Sequence, residues 1–502
     1  MSKAHFNKTA ITPTRLENFP AWYQEVIKSA QMAETSSARG CMIIRPWGYA
    51  IWERMQRILD NKIKEKGHEN AYFPLFIPLS YLQKEADHVE GFAKECAVVT
   101  HHRLKQTTDG QLIPDGELEE PYIVRPTSET IIGESFSNWV QSYRDLPLKI
   151  NQWANVVRWE LRTRLFLRTV EILWQEGHTV HAEEQEADDH ASTMLEVYRS
   201  FMEDYLRIPT LTGEKTVIER FAGAETTYTL EAMMQDGKAL QCGTSHFLGQ
   251  NFAKAANIEY LDEKGGRKTA WTTSFGMTTR LIGALVMVHG DDNGLVLPPM
   301  IAPHQVVILP IFHKDEHKKK VMSHCLSLLE NLKQTTWMNE PLRVHMDDRD
   351  LKGGDKSWSW IKKGVPVRIE VGMREVESQK VSILTRLGDL RERNNVLSKD
   401  AGEAITHALT GIHSTMYQGA ESFRDEHVLE IDDFESFKDL FSKDQPGFAK
   451  VYWCNDSELE EKLAKDLGVT TRCILKKDGL EHQVCFLTGK KAMCQVIFAK
   501  AY

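Results

Sequence analysis

The sequence lacks the features that would place the protein in a membrane or export it. Its longest apolar stretches, such as residues 281–289, are far too short to cross a bilayer. The first eight residues include two lysines and contain no apolar segment of the kind found in secretory signals. The eight cysteines are scattered along the 502 residues without a disulfide framework, which is typical of a reducing compartment. We therefore expect a cytoplasmic protein with no membrane segment.

The chain also lacks a strong positive charge and the common phosphate-binding loops. Its formal net charge is −9, which disfavours a protein that holds nucleic acid mainly through its overall charge. Any RNA-binding surface would therefore have to be local. Neither a G-x-x-x-x-G-K-[ST] loop nor a G-x-G-x-x-G that follows a strand occurs, which disfavours P-loop and Rossmann enzymes. We find no internal repeat and no low-complexity segment.

The pattern of apolar residues predicts an uneven mixture of helices and strands. Residues 49–66 carry apolar side chains at helical spacing, and Gly67 is placed to end this helix. Residues 70–78 predict a strand closed by prolines. Further strand candidates are residues 122–125, 150–158 and 226–230. Long antiparallel sheets with flanking helices produce such a mixture better than regular βαβ alternation does.

The same patterns divide the chain into three predicted domains. Three prolines between residues 295 and 303 indicate a boundary, because proline does not fit inside a helix or a central strand. The first domain is therefore predicted to cover residues 1–298. Strands alternating with helices predict an α/β domain over residues 304–405, and residues 406–502 predict a small α+β domain. The fold class is thus α/β in the broad sense, including α+β.

The most informative stretch begins at Arg158-Trp-Glu160, continues through a basic loop to Arg168, and reaches His178. It predicts a strand, a basic loop and a returning strand. Two arginines held by such strands would clamp phosphate groups, since guanidinium is always charged and binds oxygen atoms bidentately. For an isolated R-x-E, a salt-bridged surface hairpin would be the commoner interpretation. The accompanying motifs favour the phosphate clamp.

This stretch resembles motif 2 of the class II aminoacyl-tRNA synthetases. Residues 67–74, Gly-His-Glu-Asn-Ala-Tyr-Phe-Pro, resemble motif 1, whose strand and proline form the dimer interface. Residues 276–280, Gly-Met-Thr-Thr-Arg, resemble motif 3, whose arginine binds ATP. The resemblance implies a class II catalytic core with an antiparallel sheet in the first domain. An α/β anticodon-binding domain and the small α+β C-terminal domain would follow it.

Within this class the chain resembles the prolyl-tRNA synthetases, in their archaeal and eukaryotic-like form. The matching motifs are Arg125-Pro-Thr127-Ser-Glu129, Trp174-Gln-Glu176-Gly-His178 and Gln241-Cys-Gly-Thr244-Ser-His246. The resemblance implies that a homodimer activates L-proline with ATP and Mg²⁺ and transfers it to tRNA(Pro). Bacterial-type relatives carry an editing insertion between motifs 2 and 3. Only about 60 residues separate His178 from Gln241 here, too few for that domain, so we expect no hydrolysis of alanyl-tRNA.

The resemblance also assigns roles to individual residues, with Arg158 and Arg280 as the catalytic pair. The proline-binding residues would be Thr127, Glu129, Arg158, Trp174, Glu176, His178 and His246. The ATP-binding residues would be Arg158, Glu160, Arg168, Gln241, Thr244, Thr278 and Arg280. A carboxylate, a hydroxyl and an aromatic wall suit a cyclic, cationic substrate. Taken alone, Thr127 and Glu129 would more often be a helix cap and its partner.

Two further expectations concern RNA and metal. Anticodon bases are read by stacking and edge hydrogen bonds, which makes Trp358, Trp360, Arg368, Glu370 and Arg374 the candidates for tRNA contact. Many relatives bind zinc with four cysteines in the C-terminal domain. Here only Cys454 and Cys485 remain, because Leu459 and Thr488 occupy the other two positions. Two thiols cannot complete a tetrahedral zinc site, so we expect no zinc.

Three points stay open. A synthetase for threonine or serine would use zinc or a different polar pocket, and an inactive paralogue serving as a scaffold would not need Arg158, Arg168 and Arg280 together. Val170 and Ile172 stand where the wider family often has arginine and phenylalanine, which puts individual ATP contacts in question. Tyr502 follows an apolar run, and either a docked or a frayed terminus fits the sequence.

Overall fold

The structure is a computed structural model that describes residues 10–84, 96–312 and 314–502. Within these residues, no helix combines the length and the apolar character needed to span a membrane. The helices of the first part are α1 (Phe19–Ser29), α2 (Pro46–Lys64), α3 (Leu79–Lys84), α4 (Glu129–Trp139), α5 (Glu184–Ser200), α6 (Asn251–Ala256) and α7 (Arg280–His289). Its strands are β1 (Ala33–Thr35), β2 (Met42–Ile44), β3 (Glu69–Asn70), β4 (Phe76–Pro78), β5 (Ala97–Gln106), β6 (Leu112–Val124), β7 (Leu148–Val157), β8 (Glu171–His181), β9 (Thr210–Glu214), β10 (Thr226–Met233), β11 (Ala239–Gly249), β12 (Glu259–Leu261), β13 (Arg267–Thr269) and β14 (Trp271–Thr278).

The helix predicted over residues 49–66 is present as α2. It begins at Pro46, and proline suits the first turn of a helix because its missing N–H has no partner there. Ile51 and Ile63 on its apolar face are fully buried. Gly67 follows with a φ of 83°, a left-handed conformation that favours glycine. Helical spacing and one glycine were therefore sufficient to locate this element.

The strand predicted over residues 70–78 is wrong as a continuous element. Only its ends belong to strands, β3 and β4, and these lie in different sheets. Pro74 has no N–H for a strand ladder, and the Phe73 N–H donates to the side chain of Gln152 at 2.6 Å. This stretch therefore crosses from one sheet to another.

The first part is organised around the predicted antiparallel sheet. Its strands follow the order β9-β10-β11-β14-β8-β7, and β3 joins the β7 edge in parallel. Helices α5 and α7 pack against this sheet and enclose the main apolar core. The predicted fold class of this part is confirmed.

The second part is the predicted α/β domain. Its helices are α8 (Asp315–Lys333), α9 (Gly353–Lys362), α10 (Met373–Ser378) and α11 (Ala401–His427). Its strands are β15 (Val306–Pro310), β16 (Thr336–Trp337), β17 (Glu340–Pro341), β18 (Val344–Met346), β19 (Val367–Val371), β20 (Lys380–Thr385) and β21 (Asn394–Leu397). Five of these strands form a sheet in the order β18-β15-β19-β20-β21, of which the first three are parallel.

Helix α11 runs across the boundary predicted between residues 405 and 406. Ile405, Leu409 and Ile412 on this helix are buried in the core of the second part. The chain therefore has no local break at residue 406, because one continuous helix leaves the α/β domain there. The division of the chain at this point stays a prediction.

The third part extends the sheet of the first. It contains α12 (Phe434–Ser442), α13 (Ser457–Leu467), β22 (Val428–Glu430), β23 (Phe448–Trp453), β24 (Thr470–Lys476) and β25 (Cys494–Ala499). Strand β24 pairs with β9, so that a single eleven-stranded sheet runs through both parts. The Tyr502 N–H donates to the Ala239 carbonyl at 3.1 Å, and its hydroxyl donates to Asp236 at 2.7 Å. The terminus is therefore docked.

Candidate active site

A cavity of about 220 Å³ opens on the antiparallel sheet where β8, β14 and β11 lie side by side. The register places His178 of β8 opposite Ser274 of β14, which in turn faces His246 of β11. The cavity is lined by every predicted proline- and ATP-binding residue except Glu160 and Arg168, namely Thr127, Glu129, Arg158, Trp174, Glu176, His178, Gln241, Thr244, His246, Thr278 and Arg280. Strand pairing thus collects side chains that lie far apart in the sequence.

One part of the cavity is built around the buried carboxylate of Glu176. It accepts hydrogen bonds from Ser128 at 2.6 Å and Gln152 at 2.7 Å, and His178 Nε2 lies 3.1 Å away. Burial raises the pKa of Glu176, but His178 and the two donors outweigh it and lower the pKa overall. Burial lowers the pKa of His178, while Glu176 and Glu129 raise it above its ordinary value. Each group of the pair therefore stabilises the charged form of the other.

The pKa of His246, the second histidine of the cavity, is shifted in the other direction. Burial, together with the nearby His178, lowers the pKa of His246 to about 3. Its Nδ1 lies 3.0 Å from the Thr227 hydroxyl. His246 is therefore neutral at neutral pH, and the pKa values of the two histidines are shifted in opposite directions.

Thr127 and Glu129 contact each other at the start of α4. The Thr127 hydroxyl donates to the Glu129 carboxylate, and neither side chain caps the helix, whose N-cap residue is Ser128. The fold therefore does not use these two side chains as a helix cap and its partner. Both side chains line the cavity beside Glu176 and His178. This arrangement brings acceptor oxygens together in a largely buried place.

Another part of the cavity carries two guanidinium groups. Arg158 Nε donates to the Pro126 carbonyl at 3.1 Å, and its guanidinium lies 5.5 Å from the centre of the Trp174 ring. Arg280 Nε donates to the Leu167 carbonyl at 3.3 Å. Burial and the neighbouring arginines lower the pKa of Arg280, because like charges disfavour one another. Such a concentration of partly buried positive charge suits a polyanionic ligand.

Arg158 and Arg168 are not on strands, contrary to the prediction. Strand β7 ends at Val157 and β8 begins at Glu171, so both arginines belong to the connection between them. Backbone hydrogen bonds hold this connection instead, including one from the Arg158 N–H to the Val170 carbonyl at 2.9 Å. The two arginines thus lie in the connection between the strand ends, and of the two only Arg158 lines the cavity.

Glu160 and Arg168 lie outside the cavity lining. They face each other, with Arg168 Nη1 3.8 Å from Glu160 Oε2, and the Arg168 side chain is half exposed. Glu160 also accepts a hydrogen bond from the Arg162 N–H at 2.9 Å. The connecting loop therefore holds these two residues at the surface beside the cavity.

Several lining residues were not predicted. Phe166, Glu219, Phe221 and Ser274 also line the cavity, and the Phe221 ring lies 4.6 Å from the His246 ring. Among the described residues, no hydrogen-bond partner is present for the buried Ser274 hydroxyl. Ser274 sits two residues before the motif 3 glycine, and the alternation of β14 could have identified it. The segment with Glu219 and Phe221 has no such pattern, so sequence reasoning had no signal there.

The residues proposed for tRNA contact are divided between a groove and the protein interior. The groove lies between the first two parts and includes Trp358, Arg368 and Glu370 in its lining. Trp360 is buried, and its ring N–H donates to Asp347 at 2.8 Å. Arg374 does not line the groove. Trp360 therefore supports the domain rather than facing a ligand.

Cys454 and Cys485 come together in the third part, where the Cys454 thiol hydrogen-bonds to the Cys485 thiol. Thr488 donates to Cys485, and with backbone N–H groups it lowers the pKa of this thiol although burial opposes the shift. Over the described ranges, no group of three or more His, Cys, Asp or Glu residues is arranged to hold a metal ion. The absence of zinc stays a prediction.

Three family models match successive parts of the chain. The class II tRNA synthetase core domain (G, H, P, S and T) matches residues 112–289, and the anticodon binding domain matches residues 305–406. The prolyl-tRNA synthetase C-terminal domain matches residues 434–502.

Full-length relatives are also similar. Proline–tRNA ligase 2 of Anaeromyxobacter dehalogenans is 55% identical over 99% of each chain. Proline–tRNA ligase of Protochlamydia amoebophila is likewise 55% identical over 99% of each chain. Proline–tRNA ligase of Bdellovibrio bacteriovorus is 54% identical over 98% of this chain and 99% of its own.

Proposed function

The chain belongs to the prolyl-tRNA synthetase family, and from this premise we propose how its residues support the reaction. As a proline–tRNA ligase, it activates L-proline with ATP to prolyl-adenylate and pyrophosphate and then transfers proline to the 3′ end of tRNA(Pro). The proline carboxylate that attacks the α-phosphate is already an anion, so no strong general base is needed. The site must instead position the two substrates and stabilise phosphate charge.

We assign the amino-acid pocket to the part of the cavity around Glu176. The Glu129 carboxylate and the Thr127 hydroxyl would accept hydrogen bonds from the cationic nitrogen of proline, and Trp174 would lie against its apolar ring. A partly buried carboxylate such as that of Glu129 favours a cation more than an exposed one does, because solvent competes less there. His178, paired with Glu176, and the neutral His246 would complete the pocket. This combination of charge and apolar surface supports a cyclic imino acid as the substrate.

We assign ATP, as its magnesium complex, to the part of the cavity with the guanidinium groups. Arg158 would contact the α-phosphate and the substrate carboxylate. Its guanidinium contacts Pro126, which precedes Thr127, and the Trp174 ring, so it lies next to the proposed amino-acid pocket. Arg280, Gln241, Thr244 and Thr278 would hold the nucleotide. Arginine provides several fixed donors, which suits the developing charge of a phosphoryl transition state. Glu160 and Arg168 lie at the surface beside the cavity and would reach ATP only from the connecting loop.

The observation that carries this proposal is the single cavity that Arg158 and Arg280 share with Thr127, Glu129 and His178. ATP–pyrophosphate exchange, screened over all twenty amino acids, tests it directly. We expect proline to support exchange far better than any other amino acid. Preference for threonine or serine would contradict the assigned pocket, and no exchange with any amino acid would indicate an inactive paralogue.

We propose that the groove between the first two parts faces tRNA(Pro). Trp358 is 41% exposed there and could stack on an unpaired base. Arg368 is buried and donates to Ser357 at 2.7 Å, so it would shape the groove more than read a base. Trp358→Ala should therefore raise the KM for tRNA in aminoacylation while leaving ATP–pyrophosphate exchange unchanged. Unchanged aminoacylation would remove Trp358 from the interface.

We further propose a homodimer that works in the cytoplasm. Tyr72, Phe76 and Trp139 are 73%, 46% and 48% exposed, and they cluster around the stretch that resembles motif 1. Large apolar side chains in contact with water are typical of a surface that another protein covers. Light scattering on the purified chain should give twice the monomer mass. A monomer at micromolar concentration would contradict this part of the proposal.

A further inference from the structure

One wall of the cavity comes from residues 215–225, which connect β9 to β10. Glu219 and Phe221 of this segment line the cavity. The Phe221 ring lies 4.6 Å from the His246 ring, and the Phe221 N–H donates to the Thr227 hydroxyl at 3.1 Å. The width of the cavity beside His246 therefore depends on where this segment holds Phe221.

The middle of the segment has little packing of its own. It contains the short turn Val217–Glu219, in which Val217 and Ile218 are 59% and 39% exposed. A turn with few buried apolar contacts contributes little local stability. Besides the contacts of Phe221 itself, the residues at the two ends of the segment therefore contribute to the position of this ring.

The first end is anchored by the third part of the chain. The hydroxyl of Thr216 donates to Glu460 Oε1 at 2.7 Å and lies 2.9 Å from the Thr471 hydroxyl. Glu460 belongs to α13 and Thr471 to β24. All three side chains are buried, with relative exposures of 2% or less. Hydrogen bonds in such a place are difficult for water to replace.

The neighbouring Lys215 is held by a second buried network. Its Nζ donates to Glu231 Oε1 at 2.9 Å, and Arg472 of β24 donates to Glu231 Oε2 at 2.9 Å. The Lys215 N–H also donates to the Thr227 carbonyl at 2.8 Å. Thr216 is therefore fixed directly by side chains of the C-terminal domain, whereas Lys215 is held by Glu231 of β10, which Arg472 of that domain also binds.

We propose that the C-terminal domain positions the wall of the amino-acid pocket through Thr216, which Glu460 and Thr471 anchor five residues before Phe221. The inference rests on the proposed function, because it takes this pocket to hold proline. Thr216 and Glu460 do not line the cavity, so they are positioning residues rather than catalytic ones. This role gives the C-terminal domain a place in amino-acid binding, in addition to extending the sheet.

The test is Thr216→Val, which keeps the shape of the side chain and removes its hydroxyl. In ATP–pyrophosphate exchange with the full-length chain, we expect the KM for proline to rise about tenfold, since the hydrogen bonds that tie the base of the segment to Glu460 and Thr471 are lost. The KM for ATP should change by less than about twofold, because the guanidinium groups are not attached to this segment. Thr216→Ser restores the hydroxyl and should restore the KM for proline.

Leu463→Val is the matched control, because Leu463 is also on α13 and is buried in the C-terminal core, but its apolar side chain cannot hydrogen-bond to Thr216. It should leave both KM values unchanged. Thermal unfolding checks that each variant is folded, and Thr471→Val repeats the test if Thr216→Val does not fold.

The inference is overturned if folded Thr216→Val binds proline normally, if both KM values rise together, or if Leu463→Val gives the same rise. A wild-type chain without proline-dependent exchange would refute the proposed function instead.

Discussion

Three buried histidines behind the active-site sheet predict a specific dependence of stability on pH. His190 Nε2 lies 3.3 Å from His68 Nε2, and the His190 ring centre is 5.2 Å from that of His181. Burial, with His68, His181 and Lys149 nearby, lowers the pKa of His190 to about 2. Burial likewise lowers the pKa of His68 to about 4. The rings of His190 and His68 are therefore neutral in the folded protein across the physiological pH range.

The sign of the effect follows from which state binds protons first. Unfolded histidine has a pKa of about 6.5, so the unfolded chain takes up protons as the pH falls below this value while the folded His190 stays neutral. The contribution of neutral His190 to stability is therefore fully present above pH 6.5. It is lost as the pH falls towards the pKa of His190 in the folded protein. Between pH 8 and pH 5, His190 alone should lower the free energy of unfolding by about 2 kcal/mol, at about 1.4 kcal/mol per pH unit below 6.5.

His190→Phe removes the titrating group and keeps an aromatic ring of similar size. At pH 8 the variant should be less stable by about 1–2 kcal/mol, because His68 Nε2 loses its hydrogen-bond partner in a buried place. At pH 5 this deficit in stability should disappear. The wild-type chain must then keep His190 neutral at a pH where unfolded histidine is protonated, which costs free energy, and the variant has no such cost.

Urea unfolding at the two pH values, followed by tryptophan fluorescence, measures this difference. Thr193→Val is the control, because it removes a hydrogen bond from the same helix, α5, but no titrating group. Its effect should be equal at both pH values. A deficit of His190→Phe that is as large at pH 5 as at pH 8 would refute the reasoning.

Three further predictions concern catalysis, folding and metal. Arg158→Ala should lower the rate of proline-dependent ATP–pyrophosphate exchange by at least about a thousandfold, because the phosphate loses its hydrogen-bond donor. The circular dichroism spectrum should stay unchanged. Exchange at the normal rate would remove Arg158 from the mechanism. Glu231→Gln should lower the free energy of unfolding, measured in urea, by about 3–5 kcal/mol, since it leaves the buried cations of Lys215 and Arg472 uncompensated. Glu214→Gln is the control. It breaks a half-exposed ion pair and should lower the free energy of unfolding by less than about 1 kcal/mol. Elemental analysis of the purified chain should find no stoichiometric zinc, and chelation should leave the melting temperature unchanged, because two thiols cannot close the site.

Much of the candidate site was predictable, because its chemistry is local in the sequence. The motif around Thr127 and Glu129 and the motif from Trp174 to His178 each place several functional side chains within five residues. The pairing of the strands then brings them to one cavity, as the antiparallel class implies. The helical spacing of residues 49–66 located α2 for a similar reason, since an apolar stripe repeats over a few residues.

Other features could not be predicted, because no local pattern encodes them. The strand expected over residues 70–78 is interrupted, since Gln152, far along the chain, takes the Phe73 N–H. Phe221 lines the cavity although its segment has no periodicity that indicates burial. Trp360 was expected at the surface that faces tRNA, but Asp347 holds its ring inside the domain.

The sequence by itself determined the family, the order of the domains and most of the residues that meet in the cavity. Short motifs carry this information, and strand pairing then brings their side chains to one cavity. The tertiary structure decided which arginines line the cavity, in which direction the pKa of each of its two histidines is shifted, and how the C-terminal domain joins the catalytic sheet. The pairing of β24 with β9 and the contact of Thr216 with Glu460 connect residues 244 or more positions apart. Such contacts depend on how whole elements pack, and burial then sets their pKa values and hydrogen bonds, so only the folded chain specifies them.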